Sequence, residues 1–295
     1  MEKCSVLVSS CDKYRDAWLP FFTLLGKYWK DRPYPVYLNT ESEKVTEVAG
    51  VPVTSISCPY KNCSWSRRLI HALKQIKSEY VIFMLEDFFI MSPVDQKEIE
   101  RCISIMDAHP RIANINFGYG KYLENGEYID KIYAIRSRNT SYYLNAQAAL
   151  WRRKTLIKLL SPYESAWQFE LYGSERAKLY NLDFVIRKDD ILLFDYRTQI
   201  GFGYGIQKGM WLSGNVELFE KEGISGVPFE NLGFYAPEKV KQEVGVKPKR
   251  TFREKMMRFF YAGEDLPRWE IKDQLKLLFS HPGTFAREKI HAIRK

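Results

Sequence analysis

Soft metal ligands are scarce in this chain: five cysteines and four histidines in 295 residues. Cys4, Cys11, Cys58, Cys63 and Cys102 are odd in number, and none stands at C-x-x-C spacing. That argues against a disulfide framework or a cysteine zinc site and leaves buried or incidental thiols. His71, His109, His281 and His291 form no H-E-x-x-H, so histidine-based metal chemistry is not expected. No apolar run approaches the ~20 residues that span a bilayer. The most apolar stretch, Tyr80 to Met91, is broken by Glu86 and Asp87. The opening Met1-Glu2-Lys3-Cys4 lacks the long apolar segment of a secretory signal, and a cytoplasmic protein is expected.

Positive charge is present but unevenly spread. Residues 247–295 hold 13 Lys/Arg against 6 Asp/Glu, leaving 32 against 30 in residues 1–246. A nearly neutral body with a basic tail is a clue about the tail rather than about catalysis. There Lys247, Lys249, Arg250, Arg253, Lys255 and Arg258 surround Phe252, Met256, Met257, Phe259, Phe260 and Tyr261. The composition suits an amphipathic helix on an anionic membrane; the alternative is a helix packed on the body. No nucleic-acid motif accompanies these charges, and no nucleic-acid partner is expected.

The body reads as repeated strand and helix. Ser5 to Ser10 is a short buried strand, and Trp18, Phe21, Phe22, Leu25 and Trp29 recur at helical spacing. Strands are expected at Val36 to Asn39, Val53 to Ile56, Tyr80 to Leu85 and Ile112 to Phe117, with helices at Ser66 to Ile76 and Asp95 to Ala108. The two-sided apolar run of Tyr80 to Leu85 belongs in the middle of a mostly parallel sheet. This pattern predicts an α/β open sheet whose ligands bind beyond the carboxyl ends of the strands. Further on, Asn125-Gly126 marks a hairpin between Tyr119–Leu123 and Glu127–Ile135. Strands at Tyr142 to Leu150, Phe184 to Arg187 and Ile191 to Tyr196 follow, with a helix at Arg152 to Leu160.

Glu86 and Asp87 end the central strand. Adjacent carboxylates repel unless something positive lies between them, and a hard divalent cation shared with a substrate's phosphates is one answer. An acidic turn closed by Ser92-Pro93 is the plainer alternative. With Leu85-Glu86-Asp87 after the fourth strand, the chain resembles the GT-A class of glycosyltransferases, of the bacterial surface-polysaccharide type, over roughly residues 4–215. It departs from a strict D-x-D at Phe88, which leaves metal dependence open.

The resemblance implies a GT-A-like, mostly parallel open sheet with helices on both faces. It divides 1–246 into a nucleotide-sugar half (1–118) and an acceptor half (119–246), followed by a helical tail (247–295). Asp87, with Glu86 as helper, would hold Mg²⁺ or Mn²⁺ and the diphosphate of a nucleotide-diphosphate sugar. Arg67 and Arg68 stand in the first turn of a helix, where an anion would compensate them; Arg68 is the chosen donor ligand. Ser10, Asp12 and Tyr14 would face base and ribose, and Asn39 with Glu41 the base edge, although each suits a cap or turn as well. For an acceptor on a glycan or lipid carrier, Glu170 is the expected base with Glu175 as runner-up. Trp167 would be the sugar platform.

The segment Gly201 to Trp211 fails as a dinucleotide fingerprint, because Ile206 stands where a third glycine belongs. It is expected instead to be a lid, with Lys208 reaching the leaving phosphate and Trp211 contacting the acceptor. A sugar nucleotidyltransferase is the nearest alternative, but Ser9 to Tyr14 lacks its glycine-rich loop. A non-catalytic membrane or nucleic-acid adaptor using the tail is another. Deleting residues 247–295 is expected to abolish sedimentation with anionic vesicles while leaving transfer to a soluble acceptor intact; an adaptor would lose its only activity.

Overall fold

A computed structural model describes residues 2–59, 63–118, 128–138, 140, 142–188, 191–196 and 204–236. The basic tail, the Asn125-Gly126 turn with its 119–123 arm, and Gly201–Gly203 lie outside the described residues. A compact unit spans Met1–Tyr235; the expected boundary at 246/247 also falls outside the described residues.

The first half follows the periodicities. Its elements are β1 (Cys4–Ser9), α1 (Trp18–Tyr28), β2 (Val36–Thr40), the short pair β3 (Glu47–Val48) and β4 (Val51–Pro52), β5 (Thr54–Ser57), α2 (Trp65–Gln75), β6 (Tyr80–Leu85), α3 (Gln96–Ala108) and β7 (Ile112–Asn116). Side-chain caps set the helix starts: Ser64 accepts the Arg67 amide at 3.1 Å and Asp95 the Glu98 amide at 3.1 Å. The second half comprises β8 (Tyr133–Ile135), β9 (Ala149–Arg152), α4 (Arg153–Leu159), α5 (Ala166–Leu179), β10 (Asp183–Arg187), β11 (Ile206–Gln207), β12 (Met210–Trp211), α6 (Gly214–Lys221) and α7 (Phe229–Leu232).

Eight strands form one sheet in the order β5-β2-β1-β6-β9-β7-β10-β8. All but β8 and β9 point the same way, so the sheet is mostly parallel, with β6 well inside it. Side chains of α1 and α3 pack on one face with Val6, Val8, Ile82 and Met84. Those of α2, α4 and α5 pack on the other with Leu7, Phe83 and Trp151. Helices therefore cover both faces, as expected.

Three elements differ from the sequence reading. Tyr142 to Leu150 is not one strand: pairing begins only at Ala149, and the preceding residues form a loop in which Tyr142 takes a left-handed φ of 54°. Ile191 to Tyr196 forms no strand although Leu193, Phe194 and Tyr196 are buried. Its backbone bonds are isolated ones, the Phe194 amide to the Phe117 carbonyl at 3.2 Å and the Met91 amide to the Asp195 carbonyl at 2.7 Å, and they do not build a ladder. Helix α5 was not anticipated, yet its S-x-x-Q start was visible: Ser165 and Gln168 cap each other's amides at 3.2 and 2.9 Å.

One buried ion pair joins α5 to the start of α2. Arg176 donates to both oxygens of Glu164 at 2.7 and 2.6 Å, and Glu164 exchanges backbone and hydroxyl bonds with Ser66. Glu164→Ala would strand a buried guanidinium and is expected to destabilise the fold by roughly 3 kcal/mol, read as a lower urea midpoint.

Candidate active site

Glu86 and Asp87 leave the end of β6 with only 5% and 8% of their surface exposed. Burial and the neighbouring Asp87 push Glu86 well above the ordinary carboxylate range, against the pull of Arg68. Burial raises Asp87 to about 6 despite the Ile206 amide, which donates to its carboxylate at 3.0 Å. The Asp87 carbonyl takes the Gly205 amide at 2.9 Å. Phe88, where a D-x-D would place its last acid, stacks on Tyr196 with centroids 4.5 Å apart. It is a core residue, so no third acid follows in sequence, and the described residues hold no group of three or more metal-ligating side chains.

The ends of β1 and β2 lie beside this pair. Ser9 registers with Asn39 on one side and Leu85 on the other. The Ser9 hydroxyl, both polar atoms of the Asn39 side chain and Nε of Arg68 are buried without a hydrogen-bond partner. Such groups ordinarily have one, so this edge holds unused polar capacity. Arg68, on the first turn of α2, is otherwise held by Glu41 at 2.9 Å and the Cys63 carbonyl at 3.0 Å. Tyr14 lies near both acids, and burial pushes its hydroxyl up to about 12.

Two predicted donor ligands, Asp12 and Ser10, are held in structural hydrogen bonds. Asp12 accepts the Glu41 and Ser42 amides at 3.0 and 2.9 Å, bracing the loop after β1 against that after β2; it is no free ribose partner. Ser10 accepts the Trp18 indole N–H at 2.7 Å, although its own neighbours line the edge.

The 206–211 segment is a hairpin, not an open loop. Lys208 and Gly209 form its two-residue turn with φ of 50° and 84°, the left-handed pair that tight hairpins require. Lys208 is exposed, its ammonium 5.9 Å from the Tyr235 ring. Gly205 is packed so closely that an added Cβ would sit 2.2 Å from the Phe89 ring. Trp211 corrects an expectation: it is fully buried against Phe89, Phe219 and Phe229. A large apolar ring beside an aromatic cluster gains more from the core than from the cleft, and no acceptor can reach it.

On the acceptor side, Glu170 lies in α5 and accepts the Ala146 amide at 2.8 Å. Burial raises its pKa, opposed by that amide and by Arg136. Trp167, one turn earlier, is 57% exposed and meets Tyr142 edge-on with centroids 6.0 Å apart. Glu175 does not join them. Five residues past Glu170 it is about 140° around the helix, and it pairs with Lys178 at 2.9 Å. The loop carrying Ala146 also connects to the acids: Tyr196, stacked on Phe88, donates to the Gln147 amide oxygen at 2.6 Å. Sequence reading passed over Arg136, Gln147 and Tyr196, none of which lies in a local motif; Ser9 opened the segment expected to face base and ribose.

No family profile and no curated protein matches this chain. Solved structures do. Residues 1–349 of S. aureus TarS in complex with UDP align over 65% of this chain and 59% of that one, at 14% identity and a TM-score of 0.46. The chain thus spans about three-fifths of the TarS fragment. A cytidylyltransferase from Leptospira borgpetersenii aligns over 80% and 99%, at 14% identity and TM-score 0.44. A UDP-glucose pyrophosphorylase complexed with UDP-glucose aligns over 63% and 90%, at 9% identity and TM-score 0.43. Likenesses this distant say nothing about the chemistry of this chain. Among the described residues no helix is long and apolar enough to cross a membrane.

The raised acids make stability depend on pH. Between the ordinary carboxylate range and about pH 6 the folded chain keeps a proton on Asp87 that the unfolded chain has released. Its contribution is therefore favourable at low pH and lost as pH rises through the folded value. Asp87→Asn is expected to melt roughly 5 °C above the parent at about pH 7.5, with the gap closing below about pH 4.5. Paired thermal melts across that range check it.

Proposed function

We propose that this chain is a glycosyltransferase, moving a sugar from a nucleotide-diphosphate sugar to a glycan or lipid-linked hydroxyl with inversion. The observation that carries the reading is the juxtaposition at one sheet edge. A buried carboxylate pair, a buried arginine and the unused polar atoms of Ser9 and Asn39 lie together, with a second, half-buried carboxylate across the loop 142–148.

The donor's nucleoside would meet Asn39 and Ser9, which have hydrogen-bonding capacity to spare, with Tyr14 nearby. Its diphosphate would lie toward Arg68, whose guanidinium suits phosphate oxygens. Two carboxylates alone would repel that diphosphate, so Glu86 and Asp87 fit a divalent cation, Mg²⁺ or Mn²⁺. When bound, such an ion would neutralise charge on the departing phosphate.

Glu170 would take the acceptor's proton. Its raised pKa gives it a stronger pull on that proton than an ordinary carboxylate, and the Ala146 amide orients one oxygen. The exposed rings of Trp167 and Tyr142 would pack on the apolar face of the acceptor sugar. Attack from the side opposite the diphosphate inverts the anomeric centre. The basic tail would bring the enzyme to a membrane carrying a lipid-linked acceptor.

Screening melts against UDP, GDP, CDP and dTDP, with and without Mn²⁺, is expected to show stabilisation by one base. Glu170→Gln should keep that stabilisation and lose about 10³-fold in kcat, whereas Asp87→Ala should lose both. A sugar nucleotidyltransferase would instead release pyrophosphate from a nucleoside triphosphate and a sugar phosphate. Assaying both products decides between them, and full activity in Glu170→Gln would remove it as the base.

A further inference from the structure

Arg136 follows β8 at the sheet edge, its amide bonded to the Phe184 carbonyl at 2.7 Å. Its side chain is only 9% exposed, beside Tyr143 and within electrostatic reach of Glu170. Among the described residues the guanidinium donates no hydrogen bond and forms no ion pair, and its Nε is fully enclosed. Nearby arginines are treated differently. Arg176 forks onto Glu164, and Arg138 pairs with Asp183 at 3.3 Å. An arginine keeps its charge even when buried, and a buried cation without a counter-ion is costly to maintain. Glu170 tempers that cost without closing on it.

The surroundings indicate what would close on it. Tyr143 is the chain neighbour of Tyr142, and Glu170 lies three residues after Trp167 on one side of α5. The chain thus links the two groups beside Arg136, Tyr143 and Glu170, to the exposed Tyr142–Trp167 pair within one and three residues. Tyr142 is held there in the left-handed region, which an L-residue adopts at a cost. Aromatic rings beside a planar five-donor cation make a combination suited to a sugar bearing an acid group.

We propose that Arg136 is the anion seat of a subsite for an acidic sugar, with Trp167 and Tyr142 stacking on the ring and the guanidinium receiving its carboxylate or phosphate. Taken with the transferase reading, on which the word acceptor rests, the acceptor is an acidic glycan. The acid group would sit on the side of Arg136 away from Glu170, leaving Glu170 to the hydroxyl that attacks.

The test is direct binding to the full chain, followed by saturation-transfer NMR and by tryptophan fluorescence. The probes are a glucuronate-containing disaccharide, a 6-phosphorylated disaccharide and a neutral one, against the parent, Arg136→Gln and Arg136→Lys. One acidic probe should bind about 10-fold more tightly than the neutral one, and which of them does so names the acid. Arg136→Gln should erase that preference, Arg136→Lys should keep part of it, and added salt should weaken it in the parent even if a variant fails to fold. Equal binding of acidic and neutral probes, no saccharide binding at all, or a preference that survives in Arg136→Gln would overturn the proposal. Nucleotide-induced stabilisation, read separately, isolates the transferase reading. A chain that binds the acidic probe but no nucleotide upholds this subsite and sinks that reading.

Discussion

Two neighbouring carboxylates are held out of water at the end of a central strand, and no lysine or arginine closes on either within ion-pair distance among the described residues. That arrangement opposes folding, because both burial and mutual repulsion disfavour the charged forms. It persists because the backbone around it is tied down on both sides. The Asp87 carboxylate and carbonyl hold the Ile206 and Gly205 amides, and Phe88 is clamped on Tyr196. Unfavourable electrostatics kept in place by packing is what makes this strand end a candidate site.

The same edge is organised by a brace and a crossing. Asp12 draws the loop after β1 to the loop after β2, and Glu41, on that second loop, holds Arg68 of α2. Three elements distant in sequence are thereby fixed around Ser9 and Asn39. The crossing is β9, which runs antiparallel between β6 and β7. An antiparallel insertion begins where its parallel neighbours end. The loop entering β9 therefore arrives at the edge where β6 ends, and there Ala146 bonds Glu170 while Gln147 bonds Tyr196, which stacks on Phe88. A parallel strand in that place would have delivered its entry loop to the opposite edge.

Burial sorts the expected functional residues by what surrounds them. Trp167 was expected as the sugar platform and Trp211 as a further acceptor contact, yet Trp167 stands exposed beside Tyr142 while Trp211 fills an aromatic cluster. Glu170 and Glu175 share one helix, but the helical turn separates them. Glu170 meets a loop amide and Arg136, and Glu175 meets Lys178. Charge and ring count alone do not distinguish such pairs.

The alternation of strands and helices through β7, the cover of helices on both sheet faces and the acids ending β6 were all legible in the chain itself, because apolar periodicity and caps are local properties. What the tertiary structure decided were features that depend on partners far away in sequence. These are the antiparallel course of β9, the missing strand at 191–196, the diversion of Asp12 into a brace, the burial of Trp211 and the unpaired state of Arg136. Each depends on which groups meet in the folded chain, and for most of them the partners stand tens of residues apart.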